Sequence, residues 1–558
     1  MKEWSRKVYL ELPRPCEEDH RSMQKRLLAA LRDCGSFCAG NEPKSELVRD
    51  ETDIRIRPEV LNSCLEVCEQ ADWQVTASLG FDGRIWEMLD LEPGDTTAQH
   101  YGLCADLGST TIVMELINLN TGETLASESV FNPQIAYGDD ILTRIFYTKD
   151  HPERRRELQE ATAKGFRKLM ERLSEKTGVD TGKCNILTVA GNTTMIHFLL
   201  GLDAFGVFQS PYAVQTLEPE VCRGAELGIP IQGFVYICPA MENYLGGDII
   251  SGMLATGLPD REEISVFLDV GTNGELVVGN REFLLAGAGA AGPALEGGSV
   301  RTGMRAENGA VDRVTTEHGQ LKAHVIGGTE AKGICGSGIV DLLAELYLNG
   351  WIDLRGRFQV TETEIEESAG GGEKGQSRIP GLTKQLLRDA ASEKDTEYAI
   401  EYAPGLYFYQ SDIDEFIRTK AAAMTMVEYM MNLIGLTMED VGCFYVAGAF
   451  GTHIDKESAV TIGMYPDMDR DKIISPGNTS LKGAKKLLLD RSLKEKAETI
   501  IERMQYVQFG AVEEFIELMR AAQAIPHTDL QRFPSVSARL EQRRKSDPKT
   551  DPKTDPKT

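Results

Sequence analysis

Ala105-Asp106-Leu107-Gly108-Ser109-Thr110-Thr111 is the stretch on which the fold turns, and Asp269-Val270-Gly271-Thr272-Asn273-Gly274 repeats its grammar later in the chain. Leu103–Leu107 reads as a short strand, Thr110–Leu116 as its continuation beyond the turn, and Asn120-Thr121-Gly122 as a turn into a third strand, Thr124–Val130. Val266–Val270, Glu275–Val278 and, after Gly279-Asn280, Glu282–Leu285 follow the same plan. In each copy an apolar strand delivers a carboxylate to a glycine turn, where backbone N–H groups can approach an anion and hydroxyls add donors. Asp106, Gly108, Ser109 and Thr110 fill these places in the first copy; Asp269, Gly271, Thr272 and Asn273 fill them in the second. A carboxylate beside a phosphate demands a divalent cation between them, so the motif calls for Mg²⁺ held through Asp106 and Asp269, directly or through water. One acidic-glycine turn is a weak signal because such turns are common. Two of them, each after an apolar strand and before a hairpin, mark an internal duplication.

Three further glycine-rich turns carry the same chemistry. They are Val189-Ala190-Gly191-Asn192-Thr193-Thr194, Lys332-Gly333-Ile334-Cys335-Gly336-Ser337-Gly338 and Phe444-Tyr445-Val446-Ala447-Gly448-Ala449-Phe450-Gly451. Each sits between a strand or loop and a helix, where backbone can close on a nucleotide; each could equally be a packing turn. Phosphate contacts are therefore expected from Gly191, Asn192 and Thr193, from Gly336, Ser337 and Gly338, and from Gly448 and Gly451. Glu275 and Glu296 stand as water-orienting carboxylates or as ordinary ion-pair partners. No G-x4-G-K-[ST] loop is present, and no G-x-G-x-x-G opens a βαβ unit, which excludes P-loop and Rossmann sites. The eight histidines form no metal-binding spacing, and His453 either contacts ligand or packs.

The 558 residues suffice for three or four domains at ~150 residues each. With 60 basic against 86 acidic residues the net charge is −26, a surface that repels phosphate backbones and excludes nucleic acid as a partner. No apolar run reaches the ~18 residues that cross a bilayer, and Lys-Glu-Trp-Ser-Arg-Lys after Met1 has no signal-peptide core. Eleven cysteines without local pairing fit a reducing cytoplasm. Cys34 with Cys38 and Cys64 with Cys68 have i,i+4 helical spacing, so four thiolates could hold metal; in apolar-periodic stretches they read first as buried thiols. Residues 1–100 read as a small α+β unit: a strand at Val8–Leu12, helices at Met23–Leu31 and from Pro58 to Ala71, and a hairpin flanking Gly80-Phe81-Asp82-Gly83. Later helices are expected at Ile339–Leu348, Ser411–Ile434 and Leu481–Leu489, with a surface loop over 366–378. The chain ends in Asp-Pro-Lys-Thr repeats from Asp547 to Thr558, which cannot build a core.

Together these stretches resemble the reductive activators of corrinoid enzymes. The resemblance is carried by Phe131-Asn132-Pro133-Gln134-Ile135-Ala136-Tyr137-Gly138-Asp139-Asp140, Gly191-Asn192-Thr193-Thr194-Met195 and Asp269-Val270-Gly271-Thr272-Asn273-Gly274-Glu275. It extends through Ala290-Ala291-Gly292-Pro293-Ala294-Leu295-Glu296-Gly297, Gly336-Ser337-Gly338, Ala447-Gly448-Ala449-Phe450-Gly451 and Gly477-Asn478-Thr479-Ser480-Leu481. It implies an α/β fold: a duplicated RNase H-like (actin/Hsp70/sugar-kinase, ASKHA) fold preceded by a small α+β domain. The expected divisions are 1–100, a first half over 101–265, a second half over 266–525 and a disordered tail over 526–558. It further implies ATP-dependent return of a cobalt(II) corrinoid protein to cobalt(I) in a methyltransferase system, and a homodimer. Members of that family carry a [2Fe–2S] domain ahead of a linker like Val8-Tyr9-Leu10-Glu11-Leu12-Pro13. No such cysteine run occurs here, so the chain is either a fragment or a member lacking its own electron donor; no cluster is expected in these residues, and a separate donor, such as a ferredoxin, is implied. The same fold would also serve a small-molecule kinase, marked by substrate-stimulated ADP release. It would equally serve a nucleotide-switched docking protein, marked by tight ATP binding without turnover.

Overall fold

In a computed structural model, residues 2–34, 54–271, 273–290, 299–360, 379–386, 396–509 and 513–546 are described, and every structural statement concerns these. They form two compact units, residues 1–257 with 479–503, and residues 258–478 with 504–558.

The first unit opens with a four-stranded sheet of β1 (Ser5–Glu11), β2 (Ile54–Ile56), β3 (Gln74–Phe81) and β4 (Trp86–Pro93), in the order β1-β3-β4-β2. β1 buries Val8 and Leu10 and turns the residues between them outward, the period of a half-buried strand. The helix Pro58–Gln70 starts on proline, which needs no N–H partner there, and buries Val60, Cys64 and Cys68 on one face. This sheet is no detached domain. Trp4 stacks 4.7 Å from Tyr236 and donates its indole N–H to the Leu487 carbonyl, and Asn185 donates to the Ser5 hydroxyl. Arg57 and Arg223 both grip the buried Glu87 carboxylate.

The larger sheet holds β5 (Tyr101–Leu107), β6 (Thr111–Asn118), β7 (Thr124–Phe131), β8 (Ile186–Gly191), β9 (Cys222–Arg223) and β10 (Phe234–Ile237), ordered β7-β6-β5-β8-β10-β9. β5 pairs antiparallel with β6 and parallel with β8, and β10 continues parallel beside β8. β8 is buried throughout and correspondingly reads as an apolar run, its one polar side chain, Thr188, donating to the Ala484 carbonyl. The long helix Pro152–Thr177 covers the sheet through Leu158, Phe166, Leu169 and Leu173, and stops at Gly178 in the left-handed conformation (φ 73°).

The second unit repeats the arrangement. β11 (Ile264–Val270), β12 (Asn273–Gly279) and β13 (Leu284–Ala290) form the antiparallel part. Two three-stranded sheets are inserted: β14 (Ala310–Glu317), β15 (Gln320–Val325) and β16 (Gly333–Ile334), then β17 (Leu382–Leu386), β18 (Thr396–Ala403) and β19 (Leu406–Tyr409). β20 (Val441–Ala447), β21 (Ile473–Gly477) and β22 (Met504–Tyr506) complete the large sheet, ordered β21-β20-β11-β12-β13-β22. Both large sheets therefore share one topology: three antiparallel strands in succession, with a fourth and a fifth added parallel beside the first. This is the RNase H-like plan, present twice. The strands and helices expected from the sequence occur within a few residues of their expected bounds.

Two spatial features differ from the sequence expectation. The helices Thr479–Leu489 and Leu493–Arg503 pack in the first unit, on β5, β8 and the helix Gly247–Thr256, although they follow the second sheet in sequence. The chain beyond 526 is ordered as far as 546, where the expectation was disorder from 526. The helix Pro534–Ser546 buries Val536, with Phe533 beside it, and these two apolar residues anchor the segment. Lys420, fully buried in the helix Gln410–Leu433, donates to the Ala524 and Pro526 carbonyls at 2.6 and 2.7 Å, and burial pushes its ammonium down to about 7. Residues 366–378 and Asp547–Thr558 lie outside the described residues.

Candidate functional site

Asp106 stands one residue before the end of β5, half-buried, with Ala190 of β8 as its parallel neighbour. Ser480, at the start of the helix Thr479–Leu489, donates its hydroxyl to Asp106 Oδ1 at 2.7 Å. Next to it, the Thr479 hydroxyl is buried without a partner among the described residues. The turn that follows is tight: the Gly108 N–H donates to the Thr111 carbonyl, and a Cβ on Gly108 would stand 2.6 Å from that oxygen. Only glycine fits there. Gly191 is required for a similar reason, since its Cβ would meet the Leu107 carbonyl oxygen at 2.8 Å. Register thus brings the Gly108–Thr110 turn and the Gly191–Thr193 turn to the same end of adjacent parallel strands. Asn192 and Thr193 spend their side chains locally, however. Asn192 caps the helix Thr193–Leu199 by accepting from the Met195 N–H, and the Thr193 hydroxyl donates to the Glu242 carbonyl. Their side chains are thus structural, and what they offer an anion is backbone.

The stretch Phe131–Asp140 proves to be a support for the phosphate turn. Asn132, fully buried, donates from Nδ2 to the Gly108 carbonyl at 2.9 Å, and its backbone N–H donates to the Thr110 carbonyl. Arg144, on the helix Ile141–Thr148, donates to the Ser109 carbonyl at 2.7 Å and to the Gly138 carbonyl at 2.8 Å. Burial lowers this guanidinium to about 10, so it stays charged near neutrality. A buried cation bonded to main-chain oxygens fixes the turn from behind and leaves its front to a ligand.

In the second unit Asp269 pairs across the hairpin with Glu275 and lies parallel to Ala447, which Gly448 follows at φ 86°. The antiparallel register sets the Asp269 and Glu275 side chains on one face of the hairpin. Asp106 with Gly191, and Asp269 with Gly448, are therefore equivalent positions of the two sheets. Gly451 packs against the Val446 carbonyl, which a Cβ would approach to 2.5 Å. Thr272 and Glu296 lie outside the described residues, and Asn273 is placed only as the first residue of β12.

Gly336, Ser337 and Gly338 begin the helix Gly336–Leu348, which packs beside the helix Gly448–His453. Here sequence reasoning left two readings, and the contacts are those of packing. The Ser337 hydroxyl donates to the Asp312 carbonyl, and a Cβ on Gly338 would meet the Val311 carbonyl at 2.3 Å. Farther along that helix a cavity of about 1070 Å³ is lined by Asp341, Arg313, His453, Ser458 and Arg539 among others. Asp341 is nearly fully buried there, with Oδ1 unpartnered among the described residues, and desolvation raises its carboxyl to about 6. Of the cysteines considered as ligands, Cys64 and Cys68 are buried, and burial pushes Cys68 up to about 11 and Cys64 in the same direction, which favours the protonated thiol over a metal-binding thiolate. Cys34 is exposed and Cys38 lies outside the described residues. Among the described residues no group of three His, Cys, Asp or Glu could hold a metal ion, and no helix is long and apolar enough to cross a membrane.

Comparison with known proteins finds likeness over nearly the full chain. Residues 263–537 match the C-terminal domain of RACo, described as the ASKHA domain; residues 101–261 match the RACo middle region and residues 1–98 the RACo linker region. A solved structure titled reductive activator for corrinoid, iron-sulfur protein is similar over 96% of this chain and 81% of that one, at 32% identity and a TM-score of 0.79. The chain belongs to the RACo family of corrinoid reductive activators. The corrinoid activation enzyme RamQ of Eubacterium limosum is 29% identical over 421 residues, 75% of this chain and 69% of that protein. The reductase of the Co(II) methylated amine-specific corrinoid protein from Methanosarcina barkeri is 24% identical over 434 residues, 70% of each chain. The fold of this RACo member is thus a nucleotide-binding one.

Three residues of the RACo first unit escaped the sequence reading. Ser480 lies 374 positions from Asp106, and its signal was its place in the family stretch Gly477-Asn478-Thr479-Ser480-Leu481. Asn132 carried a family motif without a stated task, and Arg144 carried none at all.

Proposed function

We propose that the chain is the nucleotide-driven part of a reductive activator: it uses ATP to promote the one-electron reduction of a partner corrinoid protein from cobalt(II) to cobalt(I). The observation that carries the proposal is the likeness over nearly the full chain to a solved corrinoid activator. Two relatives whose names state corrinoid activation and Co(II) corrinoid protein reduction support the same partner class.

The residues present fit ATP and Mg²⁺. The Thr111 and Leu107 carbonyls hold Gly108 and Gly191 to glycine, which keeps both turns tight, and Asp106 offers a half-buried carboxylate beside them. Mg²⁺ would be held through Asp106 and Asp269, and it supplies neutralisation of the phosphate charge. Backbone and hydroxyl groups of Gly108–Thr110 hold phosphate oxygens, with Gly271, Thr272 and Asn273 in the same role on the second unit. Gly191 on the first unit, and Gly448 and Gly451 on the second, allow close backbone approach, and Gly336–Gly338 start the helix that packs beside Gly448–His453. Ser480 orients the Asp106 carboxylate, and Glu275, opposite Asp269 on the next strand, orients water.

The cobalt couple lies at low potential, where ~59 mV is tenfold in a one-electron equilibrium. Nucleotide-linked change in the activator can favour the reducible form of the partner only through differential affinity for its two states. The electron comes from a separate donor such as a ferredoxin, and the activator works as a cytoplasmic homodimer. Asp106→Asn and Asp269→Asn should each lower ATP turnover at least tenfold; unchanged turnover in both removes these residues from the site.

A further inference from the structure

The cavity of about 1070 Å³ beside the helix Gly336–Leu348 has the size of a small-molecule site and lies wholly within the second unit. Four segments wall it: β14 with Asp312 and Arg313, the helix itself with Asp341 and Glu345, residues 452–461, and the C-terminal helix Pro534–Ser546. Arg539, Gln542 and Arg543 on the last wall lie beyond residue 537, where the match to the RACo C-terminal domain ends.

The charges on these walls do not cancel. Asp312, Asp341, Glu345, Asp455 and Glu457 stand against Arg313, Arg539 and Arg543, with His453 beside them. Two of the guanidiniums are committed, Arg539 to Glu457 and Arg543 to Glu345, each at 3.2 Å. Asp312 pairs with His324 at 2.6 Å, and Asp455 caps the helix Lys456–Thr461. Asp341 is left short. It is 6% exposed, its Oδ2 accepts a long bond of 3.4 Å from the Val314 N–H, and its Oδ1 has no partner among the described residues. The Ser458 hydroxyl and Arg313 favour its charged form, while burial and Asp455 oppose it. A buried carboxylate short of partners is costly, and a cation that brings N–H donors relieves the cost.

We propose that this cavity binds a small organic ammonium ion, whose N–H groups bond Asp341 Oδ1 and whose charge also offsets Asp455. An ammonium carries N–H donors, no acceptor and one positive charge, which is what a buried carboxylate with a free oxygen and a second carboxylate nearby call for. An anion would meet a wall richer in carboxylates than in guanidiniums, and an apolar ligand would leave Oδ1 unpaired. The site does not rest on the function proposed above.

The test is calorimetric titration of the full chain at neutral pH with butylammonium, putrescine, tetramethylammonium and butyrate, for wild type, Asp341→Asn and Gln542→Lys. Butylammonium and putrescine should each saturate one site per chain. Tetramethylammonium, with the same charge but no N–H, should bind at least tenfold more weakly. Asp341→Asn should lower affinity for both N–H cations at least tenfold, with thermal unfolding showing that the variant is folded. Gln542→Lys, which adds a positive charge on the C-terminal wall, should weaken binding several-fold at low salt, and the difference should shrink at high salt. The site is overturned by any of three results: no saturable binding of either N–H cation, affinities unchanged in Asp341→Asn, or tetramethylammonium binding as tightly as butylammonium. Butyrate that competes with butylammonium overturns the choice of a cation. Every reading is made without ATP or corrinoid protein, so failure of this site leaves the proposed function standing, and failure of that function leaves this site.

Discussion

At the scale of single residues, the Ser480 hydroxyl on Asp106 Oδ1 is the contact most open to direct test. A hydrogen bond to a charged group contributes about 1.5–3 kcal/mol, so Ser480→Ala should reduce kcat for ATP roughly tenfold or more, and Ser480→Thr should restore much of it. Loss of thermal stability with unchanged kcat would make Ser480 a packing residue. Asp341 offers a second test, through pH. Its folded pKa of about 6 lies above the unfolded value, so the folded state binds the proton more tightly and stability falls as pH rises from about 4 through 6. Asp341→Asn escapes that loss. The variant should exceed wild type at pH 7 by up to about 3 kcal/mol relative to the difference at pH 4, read from denaturant unfolding at both pH values. A difference independent of pH would contradict the assignment.

At the scale of elements, the helix Ile141–Thr148 supports the phosphate turn through Arg144. Arg144→Met keeps apolar bulk but leaves the Ser109 and Gly138 carbonyls unpaired, at a cost of about 3 kcal/mol. The variant should melt roughly 5–10 °C lower and bind ATP more weakly. Nucleotide affinity equal to wild type would show that the turn holds its shape without this guanidinium. What the sequence made legible follows the same division. The two acidic hairpins were readable because strand alternation, glycine turn and carboxylate are all local. Asn132 and Arg144 were not, because a side chain that bonds a carbonyl in a distant turn leaves no periodic trace. The helix Pro534–Ser546 was missed because its anchors are few apolar residues, Phe533, Val536 and Leu540, and polar contacts to distant residues such as Ser535 with Asp467. The turn Gly336–Gly338 shows the converse: Gly338, which looked poised for a nucleotide, is also demanded by the Val311 carbonyl.

At the scale of the whole molecule, the duplication seen in two short stretches is borne out as two sheets that share the order of five strands, the sixth lying at opposite edges. Adjacency in space, not in sequence, decides where Thr479–Arg503 belongs, which is why a linear division at 266–525 did not find it. The family then attaches the fold to a task, and that task is the claim most worth testing. Under anaerobic conditions, a purified cobalt(II) corrinoid protein is mixed with the chain, a low-potential reductant and ATP, and the cobalt(II) absorbance is followed. Loss of cobalt(II) should require both the chain and ATP, and should slow at least tenfold with Asp106→Asn. Equal rates with and without ATP, or an undiminished rate for Asp106→Asn, would contradict it.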